Sequence, residues 1–373
     1  MASRFTDDLI DIARRELARG RMDRRDFVRL CLGAGIAPAV AGSGILTASE
    51  AAAAAQEIVL CNFGGDAVRA MGEAWGEPFT AETGVPVVVD GGVPLAGKIK
   101  AMVESGNVVW DVCDGDGFLC DQLGKQGLLE AVDYSIVDKA KLPQGWAYDH
   151  GIANYTYSFV LAYDTSLFPD RAPTLKDFFD TETYPGFRTM WKYQMGAMEA
   201  CLLGDGVPAD QLYPADIDRA IAKARSLGDN VIYWESGASS QEMMMSGEAV
   251  MGIIWNTRAS VLERDTGGRV TWTWDEGLYC HSSFVMPKGH KADAAATNRF
   301  LDSVLDPARQ IRLLELLGNG PTNPAAASML PEEMVRLDPG HPTNVARQVT
   351  RSEKWYEEHY DEAVERWLDG ISG

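Results

Sequence analysis

Apolar and polar positions fall in blocks along the chain, and the blocks switch between two periods. Glu57-Ile58-Val59-Leu60-Cys61 is a short apolar run ending at Gly64-Gly65, the pattern of a strand and a tight turn. From Ala67 to Glu82 the period becomes helical, with Val68, Met71, Trp75 and Phe79 on one face. Gly84 opens a strand over Val85 to Val89, and residues 95–105 read as helix. Val108 to Cys113 reads as a third strand ending in Asp114-Gly115-Asp116-Gly117, with a helix through Leu123 behind it. A β-α-β-α-β succession implies a mostly parallel, twisted sheet.

Residues 152–163 are aromatic and β-branched and predict an extended crossover. Pro169, Pro173, Pro185 and Gly186 then punctuate a loop-rich stretch, after which a second α/β set begins. Its strands are expected over Arg188 to Trp191, Asn230 to Trp234, Ala249 to Trp255 and Arg269 to Trp274, and its helices near 194–204, 214–227 and 240–246. Ser239-Ser240-Gln241-Glu242 offers a capping box for the last of these, and Gly247 a C-terminal stop. Val285 to Gly289 marks a return, followed by helices near 293–304, 307–317 and 352–368. The pattern predicts an α/β protein of two lobes with mostly parallel central sheets, joined by extended hinge crossovers. Residues 56–160 and 280–373 would form the first lobe and 161–279 the second, with a ligand cleft between them at the C-terminal ends of strands.

The N-terminus changes the picture by setting the compartment. Arg24-Arg25-Asp26-Phe27 precedes a weakly apolar run from Leu30 to Leu46 that is broken by Gly33, Gly35, Pro38, Gly42 and Gly44, and Ala51 to Ala55 follows. Charged, apolar, then small is the layout of an export signal, and the paired arginines before a Gly/Ala-rich core point to the twin-arginine (Tat) route. Cleavage is expected near Ala55-Gln56, leaving 373 − 55 = 318 residues. Residues 1–55 hold eight Arg and seven acids, a net +1, so the remainder carries −20 − 1 = −21. That charge disfavours nucleic acid and anionic membrane surfaces, which need basic patches. The expected location is periplasmic, and the expected state a monomer.

Candidate chemistry is sparse where catalysis would need it. The five histidines, at 150, 281, 290, 341 and 359, accompany no G-x-S-x-G elbow, no H-E-x-x-H and no phosphate-binding G-x-x-x-x-G-K-[ST]. Asp114-Gly115-Asp116-Gly117 resembles the start of a calcium loop but lacks the third acid and the distal glutamate. Cys61, Cys113, Cys120, Cys201 and Cys280 match no zinc spacing, and their number is odd. Most of them are expected to be small hydrophobes, and buried free thiols fit a protein folded before export. No enzyme activity, metal or cofactor is expected.

Strand ends are instead aromatic and polar, as a binding cleft requires. Phe63 and Gly64 follow the first strand, and Asp116 and Phe118 follow the third. Trp191-Lys192-Tyr193, Trp234-Glu235-Ser236 and Trp255-Asn256-Thr257-Arg258 end strands of the second set. Tyr279-Cys280-His281-Ser282 lies on the return crossover, and Gly318-Asn319-Gly320 ends a helix. An aromatic at a strand end either stacks on a ligand or plugs the core beneath it.

These segments resemble a known family. Gly247 to Asn256, Phe79 to Val85, Gly127-Leu128-Leu129-Glu130, Met286-Pro287-Lys288-Gly289 and Gly320-Pro321-Thr322-Asn323 are similar, in this order, to the spermidine/putrescine-binding proteins of bacterial ABC importers, over residues 57 to about 330. The resemblance implies a type II periplasmic binding fold, no catalysis, a small-molecule ligand and an ABC permease as partner. It places ligand contacts at Phe63, Asp116, Phe118 and Trp255. It also implies carboxylates on or beside Trp191-Lys192-Tyr193 and Cys280-His281-Ser282, where this chain has none. A lysine where an acid should meet an ammonium repels it.

Two ligand classes therefore stay open. A carboxylate-bearing ligand would use Lys192 or Arg258, with Asp116 holding any amino group. A polyamine would use Asp116, Glu235 and the aromatics. The full expected contact set is Phe63, Gly64, Asp116, Phe118, Lys192, Trp234, Trp255, Arg258, Tyr279, Ser282 and Asn319. A metal-binding receptor or metalloenzyme is the remaining alternative, hinted at only by His281 near Cys280 and Tyr279.

Overall fold

The first apolar run and the helical stretch after it fold as their periods require. In a computed structural model describing residues 57–372, β1 (Ile58–Cys61) leads into helix α1, built from Asp66–Met71, a π-helical turn Gly72–Gly76 and Glu77–Thr83. The expected export signal lies outside the described residues. β2 (Val87–Asp90), α2 (Ala96–Glu104), β3 (Val112–Asp116) and α3 (Gly117–Lys125) complete the first set. The third strand starts later than its apolar pattern predicts and runs on through Asp114-Gly115-Asp116. That acid-rich segment is therefore strand, with all five β3 residues buried, and not a loop for calcium.

The second set comprises α4 (Leu175–Phe179), β6 (Phe187–Trp191), α5 (Gln194–Gly204), α6 (Ile217–Arg225), β7 (Val231–Trp234), α7 (Gly237–Ser246), β8 (Ala249–Trp255) and α8 (Asn256–Asp265). Helix α7 begins earlier than expected, because the capping box is Ser236 with Ser239 and not Ser239 with Glu242. Its end is as expected: Gly247 adopts a left-handed φ of 78°.

Between the two sets lie β5 (Gly151–Asp164), to which β4 (Ala147–Tyr148) is added, and β9 (Val270–Val285). The expected strand over 269–274 and the expected return crossover are one 16-residue strand, β9. It pairs antiparallel with β5 from Ile152↔Phe284 to Asp164↔Val270. Thirteen of the 14 β5 residues are buried, because helices cover both faces, which explains a sequence with no alternation. The sheet runs β2-β1-β3-β9-β5-β8-β6-β7. Parallel trios β2-β1-β3 and β7-β6-β8 thus hang on opposite ends of a two-stranded ribbon, through antiparallel pairings at Asp116↔Ser282 and Phe159↔Trp255.

The chain closes with α9 (Ala294–Val304), α10 (Pro307–Leu317), α11 (Pro342–Val345), β10 (Val349–Thr350) and α12 (Glu353–Ser372). Asp293 and Asp306 cap α9 and α10 by accepting first-turn N–H groups. Helix α12 touches both sets. Tyr356 stacks on Phe118 of α3 at 5.3 Å, while the Trp367 Nε1 donates to the Lys192 carbonyl and Arg366 pairs with Asp218. All five cysteines of the described residues are buried and free.

Candidate ligand-binding cleft

The C-terminal ends of β1, β3, β6 and β8 converge on one cleft, floored by the β5–β9 ribbon and closed on one side by the end of α10. It holds a cavity of about 60 Å³, measured over the positions that the centre of a water-sized sphere can take, which is room for a small molecule.

Two carboxylates reach the cleft, and both are already engaged. Strand β3 places Asp114 and Asp116 two residues apart, so they share a face. Asp114 Oδ1 accepts from the Ser282 hydroxyl at 2.6 Å and the Asn154 amide at 3.4 Å, and Oδ2 accepts from the Tyr155 hydroxyl at 2.6 Å. Burial outweighs these donors and pushes its carboxyl up to about 6. Asp116 Oδ1 accepts from Tyr157 at 2.6 Å and from Arg351, a fully buried guanidinium that also pairs with Glu353 at 2.6 Å and donates to the His281 carbonyl.

The cation of the cleft is Arg258, on the first turn of α8. It is buried, and no carboxylate pairs with it among the described residues. Its Nη2 donates to the Gly64 carbonyl at 2.8 Å, and its Nε has no partner. The side chain lies there because Gly237 leaves room, since a Cβ at that glycine would come within 2.1 Å of Nε. Burial lowers its pKa to about 10, so it stays charged at neutral pH. Two acids of the second strand set are engaged elsewhere: Glu263 binds Arg336 and Thr271, and Glu235 pairs with Lys192.

Of the expected contacts, Phe63, Asp116, Trp255, Arg258, Ser282 and Asn319 line the cleft. Phe63 meets Trp255 edge-on at 5.5 Å across it. The other five do not line it. Gly64 contributes only its carbonyl, to Arg258. Phe118 is buried against Tyr356 and Tyr360. Trp234 is fully buried, turns its Nε1 to the Ile253 carbonyl at 3.0 Å and plugs the core beneath Trp255. Lys192 extends to the surface, where Glu235 pairs with it. Tyr279 faces a separate surface groove with Trp146 and Pro321. Among the described residues, no group of three His, Cys, Asp or Glu side chains could hold a metal ion.

Sequence reasoning missed Tyr155, Tyr157 and Asp114, all on strands it treated as crossover or misplaced, and Gln194 and Met195 at the start of α5. Met195 and Gly196 leave helical geometry, with φ 77° at Gly196, where a Cβ would stand 2.2 Å from the Phe159 ring. Glu199 locks that corner by accepting from the Gly196 N–H at 2.7 Å and from the Tyr213 and Tyr356 hydroxyls. Arg351 carries no sequence signal beyond its place just before a helix.

A family model described as bacterial extracellular solute-binding protein matches residues 74–343. The gamma-aminobutyric acid-binding protein of Pseudomonas aeruginosa PAO1 is 28% identical over 330 residues, 87% of this chain and 93% of that protein. Among solved structures, the Atu4243 GABA receptor is 35% identical with a TM-score of 0.74, the match covering 85% of this chain and 98% of that one. AgtB of A. tumefaciens R10, solved with agropinic acid, is 28% identical with a TM-score of 0.79, covering 85% and 99%. The fold shared with these neighbours is the type II periplasmic binding fold.

Proposed function

The chain belongs to the bacterial extracellular solute-binding proteins, small-ligand receptors that work with ABC permeases, and we propose that its own ligand is a small molecule bearing a carboxylate, held by Arg258. One observation carries this reading: a buried, charged guanidinium lines the cleft with no carboxylate partner. A buried charge without a counter-ion costs several kcal/mol. A ligand carboxylate removes that cost and accepts from the planar fork in a bidentate pair. Gamma-aminobutyric acid and agropinic acid, the ligands named for the three relatives described above, are both acids. The polyamine alternative needs free carboxylates, and the two in the cleft are engaged by Arg351 and by hydroxyl donors.

Binding couples to closure in this proposal. Contacts already span the cleft: Arg258 to the Gly64 carbonyl, and the Gln241 amide to Asp66 Oδ2 at 2.9 Å. A ligand seated between the two strand sets favours the conformation that makes both groups of contacts. A thermal-shift panel of monocarboxylates, dicarboxylates, amino acids, putrescine and spermidine tests the ligand class. Carboxylates should raise the melting temperature by binding the folded state alone, and saturating carboxylate should lower the radius of gyration in small-angle scattering. Stabilisation by the amines alone would overturn the proposal.

The same reading includes export by the twin-arginine route, supported by Arg24-Arg25 and the Gly-rich run behind them. No described helix is long and apolar enough to cross a membrane. Replacing both arginines with lysine should leave the full-length precursor in the cytoplasm. An undiminished periplasmic yield of that variant would exclude the route.

A further inference from the structure

Arg258 is not the only unsatisfied group in the cleft. Gln194 is 1% exposed, and neither its Oε1 nor its Nε2 has a hydrogen-bond partner. Asn319 is 3% exposed, and its Oδ1 has none. Both residues line the cavity. A buried amide left without partners is expensive, so such groups persist where an occupant completes them.

Neither residue is free to turn away. Gln194 sits at the corner that Gly196 and Glu199 fix. Asn319 follows Gly318, whose φ of 87° ends α10 and whose carbonyl accepts from the Asn256 amide at 2.7 Å. On its other side Gly320 is bridged to Thr156 by two backbone hydrogen bonds of 2.8 and 2.9 Å. The two carboxamides are thus presented by rigid backbone, as recognition groups must be.

Charge decides what they recognise. Asp116 shares Arg351 with Glu353, and Asp114 accepts three hydrogen bonds from its own neighbours, so neither carboxylate is held at the two carboxamides. A carboxamide offers a donor and an acceptor but no charge. We infer that Gln194 and Asn319 form an uncharged specificity subsite, and that the ligand carries, besides its carboxylate, a neutral group that both donates and accepts hydrogen bonds, a hydroxyl or a carboxamide, in place of an ammonium. This rests on the carboxylate reading of Arg258 and narrows the ligand class within it.

Isothermal calorimetry with butyrate and three probes of matched length tests it: 4-hydroxybutyrate, 3-carbamoylpropanoate and 4-aminobutyrate. In the unmodified protein the hydroxyl and amide probes should bind about tenfold or more tighter than butyrate and 4-aminobutyrate, since a site built for a hydrogen-bonding group rejects analogues that leave it unpaired. Gln194→Leu should erase that preference, bringing the hydroxyl and amide probes down to the affinity of butyrate. Gln194→Glu adds the missing charge and should move the preference to 4-aminobutyrate. The ligand-free melting temperature of each variant, compared with the parent, shows that the corner still folds. Preference for 4-aminobutyrate in the unmodified protein, or a hydroxyl preference that survives Gln194→Leu, would overturn the subsite while sparing the role of Arg258. Failure of all four carboxylates to bind would overturn both.

Discussion

Replacing Arg258 with methionine should abolish ligand binding and, in the same variant, stabilise the ligand-free protein. The two effects have opposite signs because one guanidinium serves both states. In the empty cleft it is a buried cation that donates to the Gly64 carbonyl at 2.8 Å and to Thr257 Oγ1 at 3.5 Å, and lies 5.7 Å from the Trp255 ring centroid. Methionine fills much of the same volume without the desolvation cost, a gain of about 2–4 kcal/mol, against about 1 kcal/mol for the lost hydrogen bond. With ligand present, the charge-assisted fork to the carboxylate is gone, and affinity should fall by about a hundredfold or more. Arg258→Lys keeps the charge but not the fork, and should fall between. Calorimetry and thermal melting of the three proteins, with and without the carboxylate of highest affinity, check this. A methionine variant that keeps its affinity, or that is less stable when empty, would remove Arg258 from the site.

The sequence carried the architecture further than it carried the cleft, and the reason lies in strand orientation. Period changes and Gly/Pro punctuation mark where elements begin and end, and those are local properties. Which strand-end residue faces the cleft is not local. Trp234 and Trp255 look alike as aromatic strand ends, yet the first is the floor of the core and the second lines the cavity. Lys192 and Arg258 look alike as cations beside them, yet Lys192 meets Glu235 at the surface. Tyr155 and Tyr157 were illegible for another reason. In a strand buried on both faces nothing alternates, so no pattern shows that every second residue points toward the ligand side. Asp114 was lost to a strand boundary, since β3 runs to Asp116 where the apolar residues alone suggest an end at Cys113.

That boundary matters for the pH dependence of the protein, where Asp114→Asn should have a large effect. Burial lifts the Asp114 carboxyl to about 6 in the folded chain, despite donors from Ser282, Tyr155 and Asn154. Its unfolded value lies near 3.9. The folded state therefore binds the proton more tightly, and this contribution to stability is complete below pH ~4 and lost as pH rises through about 6. About two pH units at 1.36 kcal/mol each amount to roughly 3 kcal/mol. Asparagine keeps a carbonyl oxygen as acceptor and cannot ionise, so the variant should match the parent near pH 4 and exceed it by up to roughly 3 kcal/mol at pH 7. Asp338 is also raised to about 6 by burial, so the whole pH profile mixes the two groups, and only the difference between variant and parent isolates Asp114. Denaturant unfolding of both proteins at half-unit steps from pH 4 to 7 measures that difference, and parallel curves would refute the assignment. Ionised Asp114 also faces the same cleft as the ligand's carboxylate. Affinity for a carboxylate should therefore weaken between pH 5 and 7 in the parent and stay level in the asparagine variant.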